Sequence, residues 1–213
     1  MGAETILVVV ATEAERPARD DVEILVCGVG KTGAATATAM RLARGDVGAV
    51  VSFGVAGAYP GGGVDLGDVI VATETAVVDE GLDDGDRFVP FHRPHMSVPG
   101  ATWQPTDPGL ARTLTSTPTK SFEIHLGRVA TVSVCAGSRR LARERAALGA
   151  VAEGMEGAAV ATAAALCGVR FIELRGISNH CGPREGALFD LDLAVQNAAT
   201  ILANLRPSTR TAL

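Results

Sequence analysis

The chain has 213 residues, 47% of them hydrophobic, and a formal net charge of −5. That length suits a single domain, residues 1–213, large enough to bury a substantial core. The acidic balance argues against nucleic acid or an anionic membrane as partner, and no apolar run reaches the roughly 18 residues of a membrane span.

Taken in order, strands and helices alternate. Met1–Thr5 has no basic n-region, so the apolar Ile6–Ala11 run is a strand covered on both faces and not a signal peptide. Thr12-Glu13-Ala14-Glu15-Arg16 follows as a polar turn. Val22–Val29 reads as a second strand that runs into Gly30 and an Ala-rich helix over about Thr32–Ala43. Ala49–Phe53 is a third strand, ending in the glycine turn Gly54-Val55-Ala56-Gly57. Gly67–Val78 is a fourth, with Asp79, Glu80, Asp83, Asp84 and Asp86 crowding its exit.

Arg87–Pro108 is rich in proline and holds His92, His95 and Trp103, a composition that suits a long functional loop or lid. Leu110–Thr115 is a short helix, and His125–Cys135 is another strand. Ser138 caps a helix over about Arg139–Leu148. The amphipathic Leu188–Leu205 closes the chain ahead of a polar tail. Strands ended by glycine turns, with helices between them, predict a three-layer α/β/α sandwich around a central sheet that is mostly parallel or mixed.

Glu153–Asn179 is the most informative stretch. From Gly157 to Cys167 it is almost all Ala, Val and Leu, which predicts a helix buried on every side and ended by Gly168. Val169–Leu174 is then a β-rich run that Gly176 stops. Two polar turns joined by one helix and one strand return to the same sheet edge, so Met155, Glu156, Ser178 and Asn179 can line one pocket. Glu156 equally suits a first-turn carboxylate answering the helix dipole.

Other chemistry reads thinly. Gly28-Val29-Gly30-Lys31-Thr32-Gly33 satisfies GxGxxG, but on the second strand, and the third ends in Phe53-Gly54 without the acid a dinucleotide fold wants. Close helix–strand packing accounts for those glycines. His92, His95 and His180 have no third partner at metal-ligand spacing, so a zinc site is not expected. Cys27, Cys135, Cys167 and Cys181 form no CxxC pair and read as reduced core thiols of a cytoplasmic protein.

Five motifs in order carry a resemblance: ILVVVATEAE, ILVCGVGKTGAA, VVSFGVAGA with VDLGDVIVAT, GMEGAAVATAA and LRGISN. Together they resemble the purine nucleoside phosphorylase and nucleosidase superfamily over most of the chain. GMEGAA and ISN-x-x-GPR are similar to its futalosine hydrolase branch. The resemblance implies a nucleoside and water as partners, no cofactor and a homo-oligomer. It implies that Glu15 activates the attacking water, Met155 packs under the ribose and Glu156 accepts from its hydroxyls. Gly54, Ala56 and Gly57 match the turn beside ribose and base, with Val55 where a Ser is often found. Val134 matches the neighbourhood of the purine ring, and Phe189 an aromatic over the substrate's far end.

Asn179 stands where aminopurine nucleosidases of the superfamily have Asp. An amide offers a donor and an acceptor together, which suits a hypoxanthine-type base. A turn residue ahead of His180-Cys181-Gly182-Pro183 is the bland reading. The superfamily's phosphorylases carry an Arg in the GVAGA-like turn or an early GDPxR-like segment; neither is present, which points to hydrolysis. Futalosine bears a benzoate at its far end, for which Arg87, His92, Arg93 and Arg184 are candidates. A methylthioadenosine or adenosylhomocysteine nucleosidase is disfavoured by Asn179, and an inosine-type phosphorylase by the missing phosphate site. A nucleoside-binding protein without turnover is disfavoured by Glu15 and Glu156 together.

Overall fold

A computed structural model of the chain describes residues 5–85, 87–91 and 102–207. Its strands are β1 (Thr5–Val10), β2 (Glu23–Val26), β3 (Val47–Ala58), β4 (Val69–Val77), β5 (Gly81–Asp83), β6 (Phe88–Pro90), β7 (Gln104–Pro105), β8 (Ile124–Thr131), β9 (Ala150–Gly154) and β10 (Arg170–His180). Its helices are α1 (Lys31–Leu42), α2 (Pro108–Leu114), α3 (Arg139–Ala146), α4 (Gly157–Leu166) and α5 (Leu191–Leu202).

The main sheet runs β10–β4–β8–β9–β3–β1–β2, with β7 beside β4. It is mixed: β1–β2, β1–β3, β3–β10, β4–β8 and β8–β9 pair parallel, while β10–β4 and β3–β9 pair antiparallel. Because β3 also pairs with β10, five strands close into a ring, with β1 and β2 as an extension.

Side-chain alternation along β1 supplies two cores. Ile6, Val8 and Val10 face Leu110 and Leu114 of α2 and Ile201 and Leu202 of α5. Leu7 and Val9 face Ala34 and Leu42 of α1 and Val160 and Ala164 of α4. A period of two along the strand puts helices on both faces, which makes the α/β/α layering.

Several elements depart from the sequence reading. Gly54–Gly57 is no turn, because β3 continues to Ala58, pairing with β10 along its length and with β9 at its end. Gly176 does not stop β10, which runs on through Ser178 and Asn179. The second strand is shorter than expected, and the His125–Cys135 run leaves the sheet at Thr131. A strand, β9, falls on Ala150–Gly154, where the sequence reading placed no strand. Helix α4 is not buried all round, since Thr162, Ala165 and Leu166 are exposed. Cys135 and Cys167 are exposed as well, so only Cys27 and Cys181 are partly sheltered thiols. Within Arg87–Pro108 the ends form β6 and β7, and His92, Arg93 and His95 lie outside the described residues. The GxGxxG segment packs as a tight strand-to-helix joint: a Cβ on Gly33 would stand 2.5 Å from the Cys27 carbonyl oxygen.

Candidate active site

A cleft of about 210 Å³ opens where β1, β3 and β10 end and α4 begins, and Glu15, Met155, Glu156, Ser178, Asn179 and Phe189 all line it. Ala56 and Gly57 form part of its floor, with Val55. Gly54 lies behind it, where an added Cβ would meet Glu15 Oε1 at 2.6 Å and Arg175 Nη1 at 2.8 Å. Val134 departs from expectation. It does not line the cleft; Val132 and Cys135 do. Beyond Thr131 the chain leaves the pleat, and the Val134 backbone is tied to Asp79 Oδ2 and Arg145 Nη1.

Glu15 reaches the cleft through a one-turn helix, Glu13–Glu15, that follows β1. Its Oε2 accepts from the Thr12 backbone N–H at 3.1 Å and hydroxyl at 3.2 Å, completing a capping box. Its Oε1 accepts from the Val55 N–H at 3.3 Å. One oxygen thus holds the turn, and the other keeps capacity toward the cleft.

Glu156 sits at the N-cap of α4 but makes no side-chain cap. Its Oε1 instead accepts from the Gly30 N–H at 2.9 Å, and Oε2 lies 3.8 Å from Arg175 Nη1. Gly30 has φ +96°, a backbone conformation open to glycine that aims this N–H across to α4. The neighbouring Cys27 thiol is pushed up to about 11 by burial and then by the Glu156 charge, so it stays neutral near pH 7. The Met155 sulfur stands 3.9 Å from Cys135 Sγ on the same wall.

Asn179 owes its orientation to an irregularity in the sheet. Ile177 pairs with Ala56 and Asn179 with Gly57, so Ser178 is an extra residue on β10, a β-bulge. The bulge turns both Ser178 and Asn179 to the cleft. The Ser178 hydroxyl donates to Asn179 Oδ1 at 3.1 Å, and Asn179 Nδ2 donates to the His180 carbonyl at 3.1 Å. An amide has two acceptor and two donor positions, so one of each is left for a ligand.

Charges beneath the floor were missed in the sequence. Arg175 is 1% exposed, with Nε 2.8 Å from Glu173 Oε1 and Nη2 2.8 Å from Ser52 Oγ. Burial opposes its charge, but the surrounding carboxyls of Glu173, Glu156 and Glu15 and the hydrogen bond to Glu173 outweigh that and push its pKa further up, so it stays a cation. The signal was present: Glu173 and Arg175 are two apart inside an apolar strand and so share a face. Glu153 is buried on the cleft wall, accepting from the Tyr59 hydroxyl at 2.7 Å, Arg145 Nη1 at 2.8 Å and the Ala136 N–H at 2.6 Å. It fixes the segment that carries Val132 and Cys135.

Of the far-end candidates, Arg184 lines the cleft, whereas Arg87 is exposed and pairs with Asp84 Oδ2 at 3.3 Å. His92 and Arg93 lie outside the described residues. Among the described residues no group of three or more His, Cys, Asp or Glu side chains could hold a metal ion. No helix among them is long and apolar enough to cross a membrane.

Comparison with known proteins gives a consistent set of likenesses. Residues 10–206 match the model of the phosphorylase superfamily. A futalosine hydrolase of Thermus thermophilus is 37% identical over 166 residues, 76% of this chain and 71% of that one. A futalosine hydrolase of Streptomyces coelicolor is 31% identical over 92% of this chain and 86% of that one. Among solved structures, a Helicobacter pylori 5′-methylthioadenosine/S-adenosylhomocysteine nucleosidase superposes with a TM-score of 0.79 at 21% identity, covering 95% of this chain and 97% of that one. The native futalosine hydrolase of Helicobacter pylori superposes with a TM-score of 0.77 at 20% identity over the same shares. At such identities these two structures speak for the fold alone.

Proposed function

The chain belongs to the phosphorylase superfamily, as a relative of its futalosine hydrolases, and on that premise we propose that it hydrolyses the N-glycosidic bond of futalosine. It is an N-glycosyl hydrolase of nucleosides. The proposed products are hypoxanthine and dehypoxanthine futalosine, a step of an alternative route to menaquinone. The observation that carries the reading is the meeting of Glu15, Glu156 and Asn179 in one cleft.

In the proposed reaction the C1′–N9 bond loosens toward an oxocarbenium-like ribose. Glu156 accepts from the ribose hydroxyls while Met155 packs beneath the ring. Water attacks C1′ and gives its proton to Glu15 Oε1, a general-base contribution of roughly a hundred- to ten-thousand-fold. The electron pair of the broken bond leaves with the base. The departing base takes a proton from solvent water at N7; Asn179 accepts from that N7–H and donates to the C6 carbonyl, using the acceptor and the donor that Ser178 and His180 leave open. Adenine would leave that donor facing an amino group, and such a mismatch discriminates strongly. Arg184 is the proposed partner of the substrate's carboxylate, with Phe189 against its aromatic ring. Val55 stands where some superfamily members have Ser, so contacts there come from backbone.

Hydrolysis fits better than phosphorolysis, because a phosphate beside Glu15 and Glu156 would meet two carboxylates. We further propose a single domain over residues 1–213, a homo-oligomer and a cytoplasmic setting. Exposed Val29 and Phe189 at the rim of the cleft support association, and four free thiols support a reducing compartment.

Incubation with futalosine, inosine and methylthioadenosine, each with and without phosphate, tests this by chromatography of the released base. Phosphate-independent hypoxanthine from futalosine is the expected result. Adenine from methylthioadenosine, or release that needs phosphate, would overturn it.

A further inference from the structure

Three carboxyl groups surround one guanidinium under the cleft, and they are not equivalent. Glu15 accepts two hydrogen bonds from Thr12 and one from Val55 N–H; Glu156 accepts from Gly30 N–H; both also reach the cleft. Glu173 has no exposure at all, and its one good donor is Arg175 Nε at 2.8 Å. Its Oε2 has no hydrogen-bond partner among the described residues. An ionised oxygen buried without a partner is costly, so a proton shared among these groups settles where solvation is poorest.

Packing leaves Glu173 nowhere else to go. A Cβ on Gly157, the first residue of α4, would overlap both of its carboxyl oxygens, so helix α4 closes directly over the group. The charged and titratable groups that face it are Arg175 on β10 and Glu156 ahead of α4, and the Thr75 hydroxyl on β4 stands beside it. Burial pushes the Glu173 carboxyl up, with Glu156 adding to the push and Arg175 and Thr75 opposing it.

We propose that Glu173 is a positioning residue that works as a neutral acid: its Oε1 holds the Arg175 guanidinium, and its lack of charge leaves that cation to Glu15 and Glu156. The inference rests on the reading that these two are the working carboxylates of a nucleosidase. Arg175 Nη1 is the arm that faces them, 3.8 Å from Glu156 Oε2 and crowded with Glu15 Oε1 against Gly54. An ionised Glu173 would neutralise the guanidinium from below. Glu15 and Glu156 would then face each other across the cleft without a free counter-charge between them.

Two measurements test this. Infrared spectroscopy of the protein at neutral pH is expected to show a protonated carboxylic acid carbonyl band that Glu173→Gln removes. Absence of such a band, or a band that E173Q leaves in place, would mean the group is ionised and would overturn the proposal. This arm needs no substrate, so it decides on Glu173 even if the protein releases no base from futalosine. In kinetics, Glu173→Leu is expected to lower kcat roughly tenfold or more with little change in KM. It should also move the acid limb of the kcat profile to higher pH, because Glu15 loses its counter-charge. E173Q, which keeps a neutral acceptor for Nε, is expected to restore both. A merely structural role would lower the folded fraction and leave the pH profile in place. Wild-type kcat and pH profile in E173L would overturn the positioning role, and E173Q as impaired as E173L would overturn the neutral form. If E173L does not fold, the infrared band and the kinetics of E173Q still decide.

Discussion

At the scale of single residues, the proposed chemistry depends on side chains that hold local structure with one atom and face the cleft with another. Glu15 does this with Oε2 on Thr12 and Oε1 toward the cleft. Glu15→Gln keeps an acceptor for the Thr12 N–H, since Gln also completes a capping box. Turnover is therefore expected to fall roughly a hundred- to ten-thousand-fold while the melting temperature barely moves; near-normal kcat would remove Glu15 from the mechanism. Asn179→Asp supplies a proton donor in place of an amide. The ratio of kcat/KM for methylthioadenosine over futalosine is expected to rise by roughly tenfold or more, and an unchanged ratio would remove the base-reading role. Arg184→Gln should raise KM for futalosine by roughly tenfold, the scale of one charge-assisted hydrogen bond, and leave KM for inosine alone. An equal effect on both substrates would mean Arg184 does not read the carboxylate. The cleft residues near Met155 and Asn179 were legible because their motifs stay in one strand–helix–strand unit. Val134 was not, since the sequence does not mark where β8 leaves the sheet, and a shift of one residue reverses the face.

Among the elements, several glycines inside strands mark close approach and not turns, and this is why two strand ends were misplaced. Gly54 and Gly57 lie inside β3, where side chains from Glu15, Arg175, Asn179 and Cys181 press on the backbone. Gly176 lies inside β10 for the same kind of reason: a Cβ there would overlap the Ala194 carbonyl of α5. Backbone cannot swing aside as a side chain can. Gly176→Ala is expected to cost about 1–3 kcal/mol, the usual range for overpacking, seen as a fall in melting temperature of roughly 2–4 °C per kcal/mol. A melting temperature equal to wild type would mean that α5 yields without cost. Helix α4 was also half legible. Its Ala-rich run fixed the helix but not its exposed face, because small apolar side chains pack against a sheet and meet solvent almost equally well.

For the whole molecule, the layering followed from the alternation of apolar strands and helices, whereas the closure of five strands into a ring depends on long-range pairings that no local pattern carries. Asp68 is one of the residues that hold the closure. Its backbone oxygen accepts from Ile177 N–H of β10, and its Oδ1 from Glu123 N–H ahead of β8 at 2.9 Å. Its Oδ2 accepts from Asp65 N–H at 2.9 Å and lies 3.0 Å from His125 Nε2. Burial pushes this carboxyl up, but these hydrogen bonds together outweigh it and hold the group below its ordinary 3.8. A folded-state value below the unfolded one adds stability that is present above pH 4 or so and lost as pH falls through the folded value. Asp68→Asn removes that contribution and leaves an amide facing backbone N–H donors, for an expected cost of about 1–3 kcal/mol at pH 7. The deficit should shrink as the pH is lowered below 4, because the wild type then protonates Asp68 and loses the same interactions. Urea unfolding of both proteins across that range reads the difference directly. A deficit that stays constant into acid would mean the carboxylate's charge does not matter, and that neutral hydrogen bonding alone ties β4, β8 and β10 together.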